Sequence, residues 1–114
     1  MAQVVDADQV IDRQELKDKI NRRDPFVLLE TLAEEQFQKG HLPGALNLPP
    51  ERVRELAPVL VPDKQTEVIT YCAGSKCHAS RDAARELRAM GYSRVRHYPG
   101  GKIDWTIAGL PVER

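Results

Sequence analysis

The stretch "VITYCAGSKCHASRDAARELRAMGY", residues 68–92, limits the folds open to this chain more than any other. It begins with β-branched and aromatic residues, which favour a buried strand. After a run of small residues it enters a pattern that places Ala79, Ala83, Leu87 and Met90 at helical spacing, with Gly91 positioned to end the helix. A strand that turns directly into an amphipathic helix points to an α/β architecture.

The rest of the chain repeats the alternation. Asp12 followed by Glu15 has capping-box spacing, and Leu16 and Ile20 then share one helical face. Pro25 biases Asp24 away from helix and predicts a stop near "NRRDP". "FVLLE" (26–30) is a continuous apolar run, as expected of a strand covered on both faces. "AEEQFQKG" reads as a short helix closed by Gly40, "ALNLP" as a short strand, and "ERVRELAPVL" as a short helix broken by Pro58. "RVRHYP" gives a further strand, "GKIDWTIAGL" a last helix, and "PVER" a tail. Short connections between these elements predict a largely parallel sheet.

With 114 residues, the sequence predicts a nine-residue N-terminal extension (1–9) and one domain over 10–114. Its formal net charge of zero gives a nucleic-acid or membrane-surface role no electrostatic support, and neither partner is expected. The cluster Arg81, Arg85 and Arg88 reads as the solvated face of a helix. No apolar run reaches the length of a membrane span, and "MAQVVDADQV" lacks a basic and apolar leader pattern, so a cytoplasmic location is expected. In a reducing compartment, two cysteines in one loop point to chemistry or chance before structural bracing.

Ligands in open α/β sheets bind beyond the carboxyl ends of the strands, where this reading puts Cys72. Ala73, Gly74 and Ser75 are small enough for their backbone N–H groups to converge. The helix N-terminus behind them adds partial positive charge, and Lys76 a full one. Such a cradle favours a thiolate at Cys72, an anionic persulfide on it, or an incoming sulfur oxyanion. The competing reading of Cys72 is a small buried residue at a strand end.

"GHLPGALNLP" (40–49), "VITYCAGSKCHAS" (68–80), "GYSRVRHYPGG" (91–101) and "DWTIAGLPV" (104–112) follow the order and spacing of single-domain rhodanese-type sulfurtransferases, which the chain resembles over residues 10–112. The resemblance implies a rhodanese-like three-layer α/β fold with a five-stranded parallel sheet flanked by helices. It implies a catalytic Cys72 that carries sulfane sulfur as a persulfide from a donor such as thiosulfate to a cyanide or thiol acceptor. A persulfide-donating protein is an alternative donor. The amides of residues 73–77 would bind the sulfur or donor anion, and no cofactor or metal is implied. The substrate-binding candidates are therefore Ala73, Gly74, Ser75, Lys76, Cys77 and His78. Two departures from the family pattern stand out. The usual Asp-x-Arg after the first strand is Glu30-Thr31-Leu32, and the basic positions of the catalytic loop are Ala73 and Cys77.

Cys77 closes the same loop. As a thiol it could attack an oxidised or persulfidated Cys72 to form a disulfide, serve as a second sulfur carrier, or simply fill the loop. Cys72, Cys77 and His78 match no zinc or haem spacing. His78 is placed at the helix start near the sulfur, His41 reads as a structural hydrogen-bonder before "LPGA", His97 has no partner visible in the sequence, and Trp105 reads as core. A phosphatase would need an arginine where His78 stands. The remaining alternatives to sulfur transfer are a non-catalytic regulatory or protein-binding module, and a thiol–disulfide or arsenate-type redox enzyme that uses Cys72 with Cys77.

Overall fold

The structure, a computed structural model, describes residues 9–114, so nearly all of the expected extension over 1–9 lies outside the described residues. Helix α1 (Arg13–Arg22) leads to strand β1 (Val27–Glu30), helix α2 (Glu34–Gln38) and strand β2 (Leu46–Asn47). A 3-10 turn (Pro50–Arg52) runs into α3 (Val53–Leu60), followed by β3 (Val68–Tyr71), α4 (Ala79–Ala89), β4 (Val95–Tyr98) and α5 (Gly101–Ile107).

All strand pairs are parallel, in the order β2-β1-β3-β4. The sheet among the described residues therefore has four strands, which corrects the five implied by the resemblance. Outside β4 the described residues add an isolated bridge between Val10 and His97, with the Ile11 N–H donating to the His97 carbonyl at 3.0 Å. Asp12 then caps α1, its Oδ1 accepting from the Glu15 N–H at 2.8 Å. On the C-terminal side of the bridge the chain turns directly into α1. Glu15 does not return the second bond of a capping box; its carboxylate binds Arg96 instead.

Both faces of the sheet are covered. Leu29, Val68 and Val95 pack towards α3 and α4 with Val53, Ala57, Ala84 and Leu87. Leu28, Ile69, Tyr71 and Tyr98 point the other way, onto Leu16 of α1 and Trp105 of α5. This two-sided burial is why "FVLLE" and "VITY" are apolar without alternation.

Two local expectations are corrected. Helix α3 is not broken at Pro58 but runs through it to Leu60. The ring removes one N–H, and the carbonyl four residues back belongs to the exposed Arg54, where water can replace the lost partner. The "PVER" segment is not a free tail: Glu113 and His41 exchange backbone hydrogen bonds of 2.8 and 2.9 Å. His41 also donates from Nδ1 to the Phe37 carbonyl at 3.0 Å and stacks on the Phe37 ring, the structural role expected of it.

Candidate active site

β3 is buried at every position and delivers Cys72 to the carboxyl edge of the sheet, where its side chain is 1% exposed. The strand end is fixed from the side by Thr31, whose N–H and hydroxyl both donate to the Tyr71 carbonyl at 2.8 and 2.9 Å. Thr70 donates from Oγ1 to the Ser80 carbonyl at 2.8 Å, tying β3 to the first turn of α4. The loop between them makes a tight turn in which the Cys77 N–H donates to the Gly74 carbonyl at 3.0 Å. Among the described residues, the N–H groups of Ala73, Gly74, Ser75 and Lys76 enter no hydrogen bond. The Cys77 amide is committed to the turn.

The turn brings the two cysteines together. Cys72 and Cys77 are joined by a disulfide, with their Cα atoms 6.4 Å apart. This overturns the persulfide reading of Cys72, because a sulfur already bonded to a second sulfur has no thiolate with which to take up sulfane sulfur. The arrangement matches the disulfide alternative for the pair. Cys77, only half-buried, presents the accessible side of the bond, while Cys72 lies beneath it. Lys76 is exposed at the turn and forms no ion pair among the described residues. His78 precedes α4 without capping it, and its Nδ1 accepts from the Arg81 guanidinium at 2.9 Å. Among the described residues, no three His, Cys, Asp or Glu side chains gather as metal ligands.

α5 supports the loop from the opposite side. The N–H groups of Lys102 and Ile103 donate to the carbonyls of Cys72 and Ala73 at 3.0 and 2.8 Å. Gly101, at φ +65°, makes that approach possible: a Cβ there would stand 2.5 Å from the Cys72 carbonyl oxygen. Ile103 and Ile107, one helical turn apart, form one wall of a groove of about 780 Å³. Ala73, Gly74 and Cys77 form its other side.

Next to this loop, Glu30 at the end of β1 is fully buried. Its Oε1 accepts from the Tyr71 hydroxyl at 2.7 Å, and that hydroxyl in turn accepts from the Leu42 N–H at 3.0 Å. Its Oε2 faces the Lys102 ammonium at 3.0 Å, an ionic contact without the alignment of a hydrogen bond. Burial first, and the bond to Glu30 second, push the Tyr71 phenol far above its ordinary range. The cation missing after Glu30 in the sequence thus arrives from α5. Sequence reasoning did not find Lys102, Gly101 or the two isoleucines as site residues. The Gly100–Gly101 pair was a usable signal, since adjacent glycines often mark close backbone approach.

The family model described as Rhodanese-like domain matches residues 12–108. An HTH-type transcriptional regulator of Mycobacterium tuberculosis, Rv0324, is 32% identical over 108 residues, a match covering 93% of this chain and 45% of that protein. The thiosulfate sulfurtransferase PspE of Escherichia coli is 38% identical over 68 residues, covering 60% of this chain and 64% of that protein. The chain thus spans between about half and two thirds of the length of these curated relatives. The crystal structure of BH2092 from Bacillus halodurans superimposes with a TM-score of 0.84 at 25% identity, covering 91% of this chain and 75% of that one.

Proposed function

Because the chain belongs to the rhodanese-like domain family and its loop cysteines are paired, we propose that it is a thiol–disulfide exchange enzyme using Cys72 and Cys77. The observation that carries this reading is the disulfide itself, spanning the loop that in this fold lies over the strand ends. An incoming thiolate attacks Cys77, the half-buried sulfur that lines the groove. A bond forms between the two, the Cys72–Cys77 bond breaks, and Cys72 leaves as a thiolate. The unpaired loop amides and the α4 N-terminus stabilise that buried charge, which makes Cys72 the better leaving group. Lys76 draws anionic thiolates towards the mouth of the site. A second thiolate then attacks the substrate sulfur of the mixed disulfide, and Cys77 leaves as a thiolate. Two thiols are thereby oxidised to one disulfide, and the two protein cysteines are reduced.

A cytoplasmic setting suits a disulfide that turns over better than one that only braces the loop. The family tie to sulfurtransferases supports a sulfur-centred substrate, here a thiol or disulfide rather than an oxygen nucleophile. The test is the rate at which the protein equilibrates a small organic disulfide with a dithiol, for wild type, Cys72→Ser and Cys77→Ser. Wild type should accelerate exchange at least tenfold over either variant. Equal rates for all three would remove the proposal.

A further inference from the structure

The wall of the groove beside the disulfide is more apolar than an exposed site for small charged thiols requires. Ile103 is 56% exposed and Ile107 is 80% exposed, and the two stand one helical turn apart on α5, facing the same space as Cys77. Ile103 also contacts the loop, coming within 3.1 Å of where a Cβ on Gly74 would lie. The apolar strip is therefore continuous with the redox loop. Charge around the groove is unbalanced. Asp104 is ion-paired with Arg13 at 2.8 Å and hydrogen-bonded by the Tyr98 hydroxyl, whereas Lys76 has no ionic partner among the described residues. The complement of this surface is a thiol that carries an apolar side chain on one flank and a carboxylate on the other.

Building on the exchange reading, we propose that the groove docks a cysteine-bearing segment of a partner protein. An apolar residue shortly after that cysteine would seat on Ile103 and Ile107, and an acidic residue would face Lys76. Exposed apolar surface next to a reactive centre is a recurrent mark of a protein-binding site, and a side chain covering two isoleucines contributes about tenfold in affinity. The partner thiolate bonds to Cys77 and displaces Cys72 as thiolate. A second thiol of the same partner then attacks the mixed disulfide and leaves the partner oxidised and the loop reduced.

Two end-blocked peptides test the idea, each with one cysteine and one glutamate, differing only in a leucine or a serine two residues after the cysteine. The rate of mixed-disulfide formation with the oxidised full-length protein is read by intact mass. The leucine peptide should react about tenfold faster than the serine peptide with wild type, and the ratio should fall to about two or less in Ile107→Ser and in Ile103→Ser. Because each ratio is taken within one protein, a general change in stability cancels. Equal rates in wild type would overturn the docking proposal, as would an unchanged ratio in both variants. Free glutathione reacting as fast as the leucine peptide would overturn it in favour of a small-thiol site. A wild-type dimer that Ile107→Ser dissociates would overturn it in favour of a second copy of the chain. Dithiothreitol serves as the control: if it opens the disulfide while the two peptides react alike, only the docking proposal fails. If dithiothreitol finds no disulfide to open, the exchange reading fails with it.

Discussion

β1 and β3 lie side by side in the sheet, Glu30 pairs with Tyr71, and each strand brings a polar or sulfur side chain, Glu30 or Cys72, to its carboxyl end, yet the two ends are held in opposite ways. The Glu30 carboxylate is engaged by side chains, with the Tyr71 hydroxyl hydrogen-bonded to one oxygen and the Lys102 ammonium in ionic contact with the other. Cys72 is held by its backbone, through Lys102 and Gly101, and its side chain has one covalent partner, Cys77, whose exchange is the proposed chemistry. One end is locked and the other is poised. Lys102 serves both, binding Glu30 with its ammonium and Cys72 with its N–H. This lets a rigid polar cluster steady a loop whose own side chains remain available for chemistry.

The strongest way to break the locked end is Lys102→Ala, which leaves the fully buried Glu30 without a cation. Removing one partner of a buried pair costs about 3 kcal/mol. The loss should appear as a lower denaturant midpoint with an unchanged slope. A shift below about 0.5 kcal/mol, the size of an ordinary surface substitution, would mean that Glu30 does not depend on Lys102.

The poised end is probed by Gly101→Ala. Its Cβ would meet the Cys72 carbonyl oxygen at 2.5 Å and would sit at a φ that side chains rarely adopt, at a cost of about 2 kcal/mol. Gly44→Ala supplies the contrast, with φ +79° and no atom within 4 Å, and should cost only about 1 kcal/mol. Only Gly101→Ala should also change the rate at which dithiothreitol opens the disulfide. An equal change in both variants would show that the loop is not held by that approach.

A smaller effect, silent at neutral pH, concerns all three tyrosines, Tyr71, Tyr92 and Tyr98, which are buried. Burial raises each phenol above the ordinary value of 10.0, assisted by Glu30 at Tyr71 and by Asp104 at Tyr98. A raised folded-state value means that stability is intact below about pH 10 and declines as pH rises further, because the unfolded chain ionises first. Ultraviolet phenolate absorbance should therefore rise together with loss of circular dichroism. Ionisation near pH 10 in a protein that keeps its dichroism would contradict the burial of these rings.

The four strands, the helix cap at Asp12 and the sulfur loop were legible in the sequence because each rests on local pattern: apolar runs, a capping residue, small residues before an amphipathic helix. The expected fifth strand came from family resemblance rather than from residues; among the described residues that edge carries the single Val10–His97 bridge, and the cap at Asp12 starts a helix directly after Ile11. Pro58 misled because its cost depends on whether the orphaned carbonyl can reach water, which the proline alone does not reveal. The pairing of Cys72 with Cys77 was open as an alternative but not decidable, since it depends on a turn that folds position 77 back over position 72. Lys102 was invisible for a different reason. It meets Glu30 across most of the chain's length, and no local pattern links two such positions.

A redox titration of the full chain tests most directly whether Cys72 and Cys77 form one reversible two-electron couple. Equilibrating the protein in graded mixtures of reduced and oxidised dithiothreitol, alkylating free thiols and weighing the products counts reactive cysteines at each potential. Only two populations should appear, with neither or both cysteines alkylated, interconverting along a two-electron curve that Cys77→Ser abolishes. Two cysteines that are alkylated independently, or that stay free at every potential, would contradict it.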